Sequence, residues 1–322
     1  MIDRDEIISA YRLILGREPE NAEVVARYAT EFDNLEDLRR LFFNSAEFRA
    51  QWQRLALPRP AKPPLSGPPM QVEIHTDAET LHRLFQRIAA QWQTLGQDEP
   101  LWSVVTQERF RSSTASPADI DAFYASGEEE VRILEAILTR AGRSLTDFSA
   151  CFELGCGVGR VTGALAKHFA TVHAWDVSAS HLDHARQRLI PETHPNVCFG
   201  LVERPEQFEA LPSFDFFYSR IVLQHNPPPA MAFMLERILA QLQPGGMACF
   251  QVPTYKAGYR FALARYLADD HAGTMEMHVL PQTEVFAIAA RTGCRIVEVR
   301  EDDSIGISAT AISNTFLLEK PA

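Results

Sequence analysis

The residues with the clearest chemical content lie in the run CFELGCGVGRVTGALA, residues 151–166. An apolar stretch ends at Leu154, glycines follow at Gly155, Gly157 and Gly159, and helix-forming residues come next. A strand, a glycine turn and a helix start in succession make the place where a doubly wound sheet binds a nucleotide-like ligand. Glycine lets the chain turn sharply and lets a ligand approach the backbone. The dinucleotide fingerprint G-x-G-x-x-G sets a pyrophosphate on that helix N-terminus. Here the spacing is G-C-G-V-G, and an acid, Glu153, stands just before it. A carboxylate there repels a pyrophosphate and suits a ligand carrying an ammonium group. A second acid, Asp176, ends the next strand-like run in HAWDVSAS. A carboxylate can accept hydrogen bonds from two vicinal hydroxyls, so this position suits a ribose diol. Taken alone, Asp176 reads equally well as a helix N-cap.

With both acids in place the sequence resembles the class I methyltransferases, which use S-adenosyl-L-methionine and release S-adenosyl-L-homocysteine. Their first motif, E/D-x-G-x-G-x-G, is met by Glu153, Gly155, Gly157 and Gly159. The resemblance implies that Glu153 and the glycine turn hold the methionine portion, and that Asp176, with Val177 beside it, holds the ribose. Many members place an acid and an apolar neighbour after the third strand, at the adenine edge. This chain has Leu201, Val202 and Glu203 there, which leaves backbone groups near Val202 to read adenine. In FDFFYSRIVLQHNPPP, Asp215 comes early in a fourth strand, and Ser219 and Arg220 stand at its carboxyl end. Val222, Leu223, Gln224 and His225 then match a V-L-x-H segment. In the family this strand end, Ser219 included, faces the methyl group. Pro244, Gly245 and Gly246 supply the turn that enters the fifth strand. The matches are specific for the cofactor and silent on the acceptor. Upstream, FYASGEEEVRILEAIL is similar to a segment of bacterial methyltransferases of polysaccharide and glycolipid pathways. It implies that Phe123 and Tyr124, with a turn at Ser126 and Gly127, close over the cofactor; ordinary core and turn residues are the alternative.

Methyl transfer from a sulfonium is an in-line displacement that chiefly needs alignment and exclusion of water. A hydroxyl acceptor also needs a base. His225 is the candidate catalytic residue, because an imidazole titrates near neutral pH. The segment from Pro253 to Pro281 follows the fifth strand, where an acceptor wall belongs. Its Tyr255, Arg260 and His278, together with Gln224, are the candidate substrate contacts, and Tyr259 and His271 lie in the same segment. His181 and His184 share a helix face, but no carboxylate or cysteine cluster joins them, so a solvated face and no metal site are expected. The reading is O-methylation of a small-molecule or glycan hydroxyl. N-methylation of a small amine and a non-catalytic, cofactor-sensing assembly module are the alternatives.

An open, mostly parallel α/β sheet is needed to hold these residues. Residues 150–154, 171–177, 196–202, 214–219, 246–252, 294–300 and 314–320 read as strands, the first five separated by helical stretches. That alternation predicts a Rossmann-like seven-stranded sheet with helices on both faces. Ahead of it, Leu81, Leu84, Phe85, Ile88 and Trp92 form one helical stripe. Residues from Gly96 to about Gly127 read as a loop, and Val131, Leu134, Ile137 and Leu138 as a helix ending at Gly142. The chain begins with a small all-helical unit. There Ile7, Ile8, Tyr11, Ile14 and Leu15 recur at helical spacing as far as Gly16, Asn34 can cap a second helix, and Ser45 a third. YRLILGREPE and FFNSAEFRAQW are similar to a short helical domain of unknown function that accompanies bacterial glycosyltransferases and methyltransferases. It implies no chemistry, and contact with a protein partner is its expected role. Six prolines between Pro58 and Pro69 make an extended linker. The expected division is 1–56 helical unit, 57–70 linker and 71–322 methyltransferase domain, the last with a helical cap at 71–147, a core at 148–322 and a lid at 253–281.

The chain's 322 residues suffice for one large domain and a small one. A net charge of −11, with short and mixed basic stretches, argues against a nucleic-acid partner. The five cysteines form no C-x-x-C pair and read as buried, reduced thiols of a cytoplasmic protein. The opening MIDRDEIISA lacks the apolar region of a signal peptide, and no apolar run approaches the roughly 20 residues that span a bilayer.

Overall fold

A computed structural model describes residues 2–48, 63–269, 275–306 and 308–322. The chain divides into two compact units, Met1–Ala61 and Lys62–Ala322. In the first, helix Arg4–Ala10 runs on as a wider turn, Tyr11–Leu15, and stops at Gly16, whose φ of 62° is the left-handed conformation glycine adopts freely. Asn34 caps helix Leu35–Asn44, accepting the Asp37 N–H at 3.0 Å. Between these lies helix Ala22–Glu31, capped by Asn21, which the periodicity did not announce. Only Val25 of that helix is fully buried, so its apolar stripe is thin. Ile7, Tyr11, Leu15, Leu38 and Phe42 close the small core. Ser45 caps the Phe48 N–H as expected, while the rest of that last stretch and linker residues 57–62 lie outside the described residues.

The second unit is built on a seven-stranded sheet: β2 (Ala150–Leu154), β3 (Thr171–Asp176), β4 (Val197–Leu201), β5 (Phe216–Ser219), β6 (Met247–Lys256), β8 (Arg295–Asp302) and β9 (Ala311–Glu319), in the order β4-β3-β2-β5-β6-β9-β8. Both pairs made by β9 are antiparallel, and the other described pairs of this sheet are parallel. Strands buried on both faces need apolar residues at successive positions, and β2 shows why. Phe152 and Leu154 face one cluster with helices Ala78–Asp98, Pro228–Gln241 and Gln282–Arg291. Cys151 faces the other, with helix Pro117–Arg140 and the short helix Thr162–Leu165. The seven strands fall where the sequence put them. Of the five cysteines, Cys198 alone is exposed, because β4 is an edge strand and turns alternate residues outward.

One expectation is corrected. The loop expected from Gly96 to Gly127 is helical at both ends and a loop only between Glu99 and Ser116, broken by the 3-10 turn Glu108–Phe110. Helix Ala78–Asp98 runs through Gly96, where a Cβ would stand 2.6 Å from His181 Nδ1. Helix Pro117–Arg140 starts far earlier than its apolar stripe suggested, under a reciprocal Ser116–Asp119 cap with proline in its first turn. Ser126 and Gly127 are therefore mid-helix, not a turn. The segment expected as a lid, 253–281, contains regular elements among its described residues. Its first residues prolong β6, β7 (Arg260–Phe261) pairs in parallel with β1 (Gln71–Val72), and helix Leu263–Ala268 follows. The end of the proline-rich stretch rests on this region: the Tyr255 hydroxyl donates to the Pro68 carbonyl at 3.1 Å.

A chain beginning at Lys62 should therefore unfold in one cooperative transition. A chain beginning at Ile74 loses β1 and the Pro68 contact, and its Tm should fall by about 2–4 °C for each kcal/mol lost. Calorimetry on the pair decides, and equal melting points would show that the β1–β7 pairing contributes nothing.

Candidate active site

The strand order reverses direction beside β2: β3 and β4 lie on one side, β5 and β6 on the other. Open α/β sheets bind ligands outside the carboxyl ends of their strands at such a point. A cavity of about 660 Å³ lies there. Its floor is the chain after β2, β3 and β5. Helix Ala78–Asp98 contributes Phe85, Ile88 and Trp92, and Ser103 to Gln107 cover it. All described lining residues belong to the second unit.

Gly155, Gly157 and Gly159 all have positive φ, at 78°, 53° and 81°. A Cβ at Gly155 would stand 2.4 Å from Val222, and one at Gly157 would stand 2.9 Å from Val104. Asp176 is buried and holds this turn: one carboxylate oxygen accepts the Gly157 N–H at 2.8 Å, the other the Ser178 N–H at 2.9 Å. Each oxygen keeps a further lone pair, and Asp176 lines the cavity. Glu153 is buried beneath the turn and accepts from the Thr162 hydroxyl at 2.6 Å. Burial, aided by the Asp176 charge and opposed by Thr162 and Arg160, pushes its carboxyl up to about 7.

Beside Glu153 lies a charged cluster that the sequence did not announce. Glu130 pairs with Arg160 at 3.3 Å and with Arg220. Arg160 also donates to Ser126 Oγ at 3.2 Å. Gly127 makes this packing possible, since a Cβ there would meet the Arg160 carbonyl oxygen at 2.0 Å. Glu130, Arg160, Arg220 and Ser126 all line the cavity.

The opposite end is formed by the chain after β5. Ile221 sits there at φ 57°, a strained conformation for a β-branched residue. Its N–H donates to Gln251 Oε1 at 3.0 Å. Gln224 and His225 are both buried and line the cavity, with the Trp92 ring edge-on to His225 at 5.3 Å. His225 Nδ1 lies 2.7 Å from the Glu276 carbonyl oxygen, and Nε2 lies 3.3 Å from Gln224 Nε2. Burial holds the imidazole below its usual range. Met275 and Met277 complete this wall.

The cavity thus brings together Glu153, Gly155, Gly157, Asp176, Val177, Val202, Gln224 and His225. Other expected residues lie elsewhere. Gly159 packs against Leu189. Ser219 donates to the Leu154 carbonyl at 3.1 Å and lines a separate cavity of about 380 Å³. Phe123 is core, packed on Phe110, and Tyr124 lies under Arg188. Tyr255 is tied to Pro68, and Arg260 is exposed on β7. His278 is buried between the Tyr259 hydroxyl and Glu276, at 2.9 and 2.8 Å. The backbone expected to read adenine is already engaged: Val202 N–H donates to Asp176 O, and Glu203 N–H to Gln207 Oε1. Val202 offers the cavity an apolar side chain instead. His184 is exposed as expected, but His181 is core, 2.8 Å from Ser103 Oγ. His271 lies outside the described residues. Among the described residues no cluster could hold a metal ion, and no helix is long and apolar enough to cross a membrane.

Comparison with known proteins agrees with this fold. Residues 152–246 match the family described as methyltransferase domain. Over 142 residues the chain is 32% identical to a trans-aconitate 2-methyltransferase of Deinococcus radiodurans, covering 44% of this chain and 50% of that protein. Over 103 residues it is 30% identical to a carboxy-S-adenosyl-L-methionine synthase of Geobacter metallireducens, covering 31% and 42%. The chain thus spans half or less of the length of these curated relatives. In fold it is similar to a Haemonchus contortus phosphoethanolamine N-methyltransferase (TM-score 0.51, 18% identity, 74% of this chain and 60% of that one). It is equally similar to an S-adenosylmethionine-dependent methyltransferase of Leishmania major (TM-score 0.51, 15% identity, 76% and 87%).

The Glu153 environment predicts a pH effect on the ligand-free chain. Folding raises this carboxyl from its ordinary 4.5 to about 7, so between these values the folded chain holds a proton that the unfolded chain has released. Stability therefore falls as pH rises through that window. Glu153→Gln should remove this slope and stabilise the chain at pH 8 by on the order of 3 kcal/mol. Urea midpoints for both proteins at pH 5 and pH 8 measure it; parallel shifts would sink the assignment.

Proposed function

We propose that this chain, which carries a methyltransferase domain at residues 152–246, transfers the methyl group of S-adenosyl-L-methionine to a hydroxyl of a small molecule or glycan. The observation that carries this reading is the pair of buried acids, Glu153 and Asp176, on adjacent strand ends of one cavity. Adjacent strands are about 4.8 Å apart, so the two carboxylates can address neighbouring parts of one ligand. The free lone pairs of Asp176 suit the ribose diol. Glu153, Arg160 and Ser126 offer charge and hydrogen bonds to an amino-acid tail. Val177, Val202, Phe208 and Met234 supply an apolar slot for adenine.

Ile221, Gln224, His225, Met275 and Met277 line the far end of the cavity and would surround the methyl group of a bound donor. In the transfer step the acceptor oxygen forms a bond to the methyl carbon while the carbon–sulfur bond breaks. The sulfonium becomes the neutral thioether of S-adenosyl-L-homocysteine, and the hydroxyl proton passes to His225 Nε2. The electrophile is supplied fully activated, so the chain's main contribution is alignment and the exclusion of water. An amine acceptor is the second reading. The depressed basicity of His225 favours it, because a neutral amine attacks first and sheds its proton afterwards. Among the described residues the helical unit contributes none to the cavity, and we take it as a docking module for a protein partner. The five free cysteines fit a reducing, cytoplasmic setting.

Asp176→Ala should weaken S-adenosyl-L-methionine binding by roughly 1–3 kcal/mol, since the ribose hydroxyls lose an acceptor and the glycine turn loses its clamp. Calorimetry showing unchanged affinity would refute the ribose role. A charged ligand beside Glu153 requires the carboxylate, so wild-type affinity should rise with pH and level off above about 7. Transfer of labelled methyl to a panel of sugars, hydroxy acids and amines tests the acceptor class. Exclusive labelling of amines would overturn the hydroxyl reading.

A further inference from the structure

The hydrogen bonds around His225 form a chain in which every donor and acceptor is determined. It begins at a group that can only donate, the Ile221 N–H, which meets Gln251 at 3.0 Å. The atom of Gln251 facing it must be the carbonyl oxygen, so the other end of that amide is the NH₂ group. This NH₂ lies 3.1 Å from the Gln224 side chain and 2.6 Å from Ser313 Oγ. The Gln224 atom facing it must therefore be oxygen, which turns the Gln224 NH₂ toward His225 Nε2 at 3.3 Å. Nε2 must then carry a lone pair and no proton. The chain ends at a group that can only accept, the Glu276 carbonyl, 2.7 Å from Nδ1, which therefore carries the proton. Both ends dictate the same direction, and Gln251 and Gln224 are buried, so solvent does not compete.

We propose that Gln251 is a positioning residue: by fixing which end of the Gln224 amide faces His225, it keeps the imidazole neutral, with its single Nε2 lone pair accepting the Gln224 N–H until an acceptor hydroxyl displaces it. A protonated Nε2 would meet a donor, so the imidazolium is disfavoured until Gln224 turns. Gln224 cannot turn unless Gln251 also turns, and that would set the Gln251 NH₂ against the Ile221 N–H at a residue already strained. This inference rests on the methyltransferase reading only for its use: a neutral imidazole is the form able to take a proton from a hydroxyl.

The other groups around His225 do not replace this effect. From helix Ala78–Asp98 the nearest ring is the uncharged Trp92. From the segment after residue 274 come Glu276 and His278. The Glu276 carboxylate is turned to His278, the Tyr266 hydroxyl and Arg87. The post-β5 chain contributes the uncharged Gln224 and Asn226.

The experiment is the titration of His225 by nitrogen and carbon NMR of histidine-labelled protein, assigned with His225→Asn. In the wild type the imidazole should be neutral with its proton on Nδ1 at pH 7; a proton on Nε2 would overturn the proposal without any variant. Gln251→Met removes the amide and frees Gln224 to turn its oxygen toward Nε2–H, so the midpoint should rise by about one pH unit or more. Gln251→Glu keeps the side-chain shape, and once ionised can only accept, which forces the same turn and should raise the midpoint further. It carries the test if the methionine variant fails to fold. In a folded variant an unmoved midpoint overturns the proposal. With an accepted hydroxyl substrate, the acid limb of the kcat profile should move up with the same midpoint while cofactor affinity holds. The titration needs neither cofactor nor turnover, so failure of the methyltransferase reading and failure of this one are told apart.

Discussion

The site depends first on the contact between the Asp176 carboxylate and the backbone of the glycine turn. Positive φ at three alternating glycines bends the chain: the Gly155 and Cys156 N–H groups still reach the Trp175 carbonyl of β3, while the Gly157 N–H turns to a side chain. A buried N–H without an acceptor costs about 1–3 kcal/mol, and the turn lies under the cover formed by Ser103 to Gln107. Asp176 resolves this from the neighbouring strand, taking the Gly157 N–H on one oxygen and the Ser178 N–H on the other. The same carboxylate thus fixes the turn after β2 and the start of helix Ala179–Arg188. Both strand ends then face the cavity in register, with Glu153 beside Ala174 and Leu154 beside Trp175.

Electrostatics follow from that arrangement. Glu129, Glu130, Glu153 and Asp176 line the cavity, against Arg160 and Arg220. Glu130 occupies both guanidinium groups, which leaves Glu153 with the hydroxyl of Thr162 as its direct partner. A buried carboxyl in that position is held near neutrality until a cation arrives. The imbalance is therefore itself a recognition device: a ligand with positive charge completes it, and a phosphate would not.

Much of this was legible in the sequence, and the limits have physical causes. The seven strands were visible because burial on both faces demands continuous apolar runs with punctuated ends. Glu153, the glycines and Asp176 were visible because a tight turn and a strand-end acid leave a fixed spacing. Phe123, Tyr124, Ser126 and Gly127 were placed in a loop because glycine and serine usually mark turns. Gly127 instead answers to a carbonyl of Arg160 brought from 33 positions away, which no local pattern reports. Gln251 was hidden inside a strand that reads as core. Its role exists only because β5, β6 and β9 lie side by side, bringing Ile221, Gln224 and Ser313 to one amide. Tyr255 and His278 carried chemically capable side chains in the right segment, but tertiary hydrogen bonds to Pro68 and Glu276 took them out of the cavity.

The end of the cavity proposed for the acceptor joins a hydrogen-bonded frame to a soft lining. Along residues 275 to 278 the side chains alternate: Met275 and Met277 line the cavity, while Glu276 and His278 bond to each other outside its lining. The Glu276 carboxylate receives the Tyr266 hydroxyl at 2.6 Å and His278 Nε2 at 2.8 Å, with Arg87 at 3.8 Å. Its carbonyl receives His225, and the His278 N–H donates to the Gln224 carbonyl at 2.7 Å. The wall that an acceptor would touch and the residues that would meet its reacting atom are thus one hydrogen-bonded unit. Buried polar bonds fix the backbone position of both, while the two methionines, unbranched and polarizable, adapt to the shape placed against them. Acceptor choice can then change at Met275 and Met277 without moving His225, whereas a change at Glu276 or Arg87, neither of which needs to touch an acceptor, would move both at once.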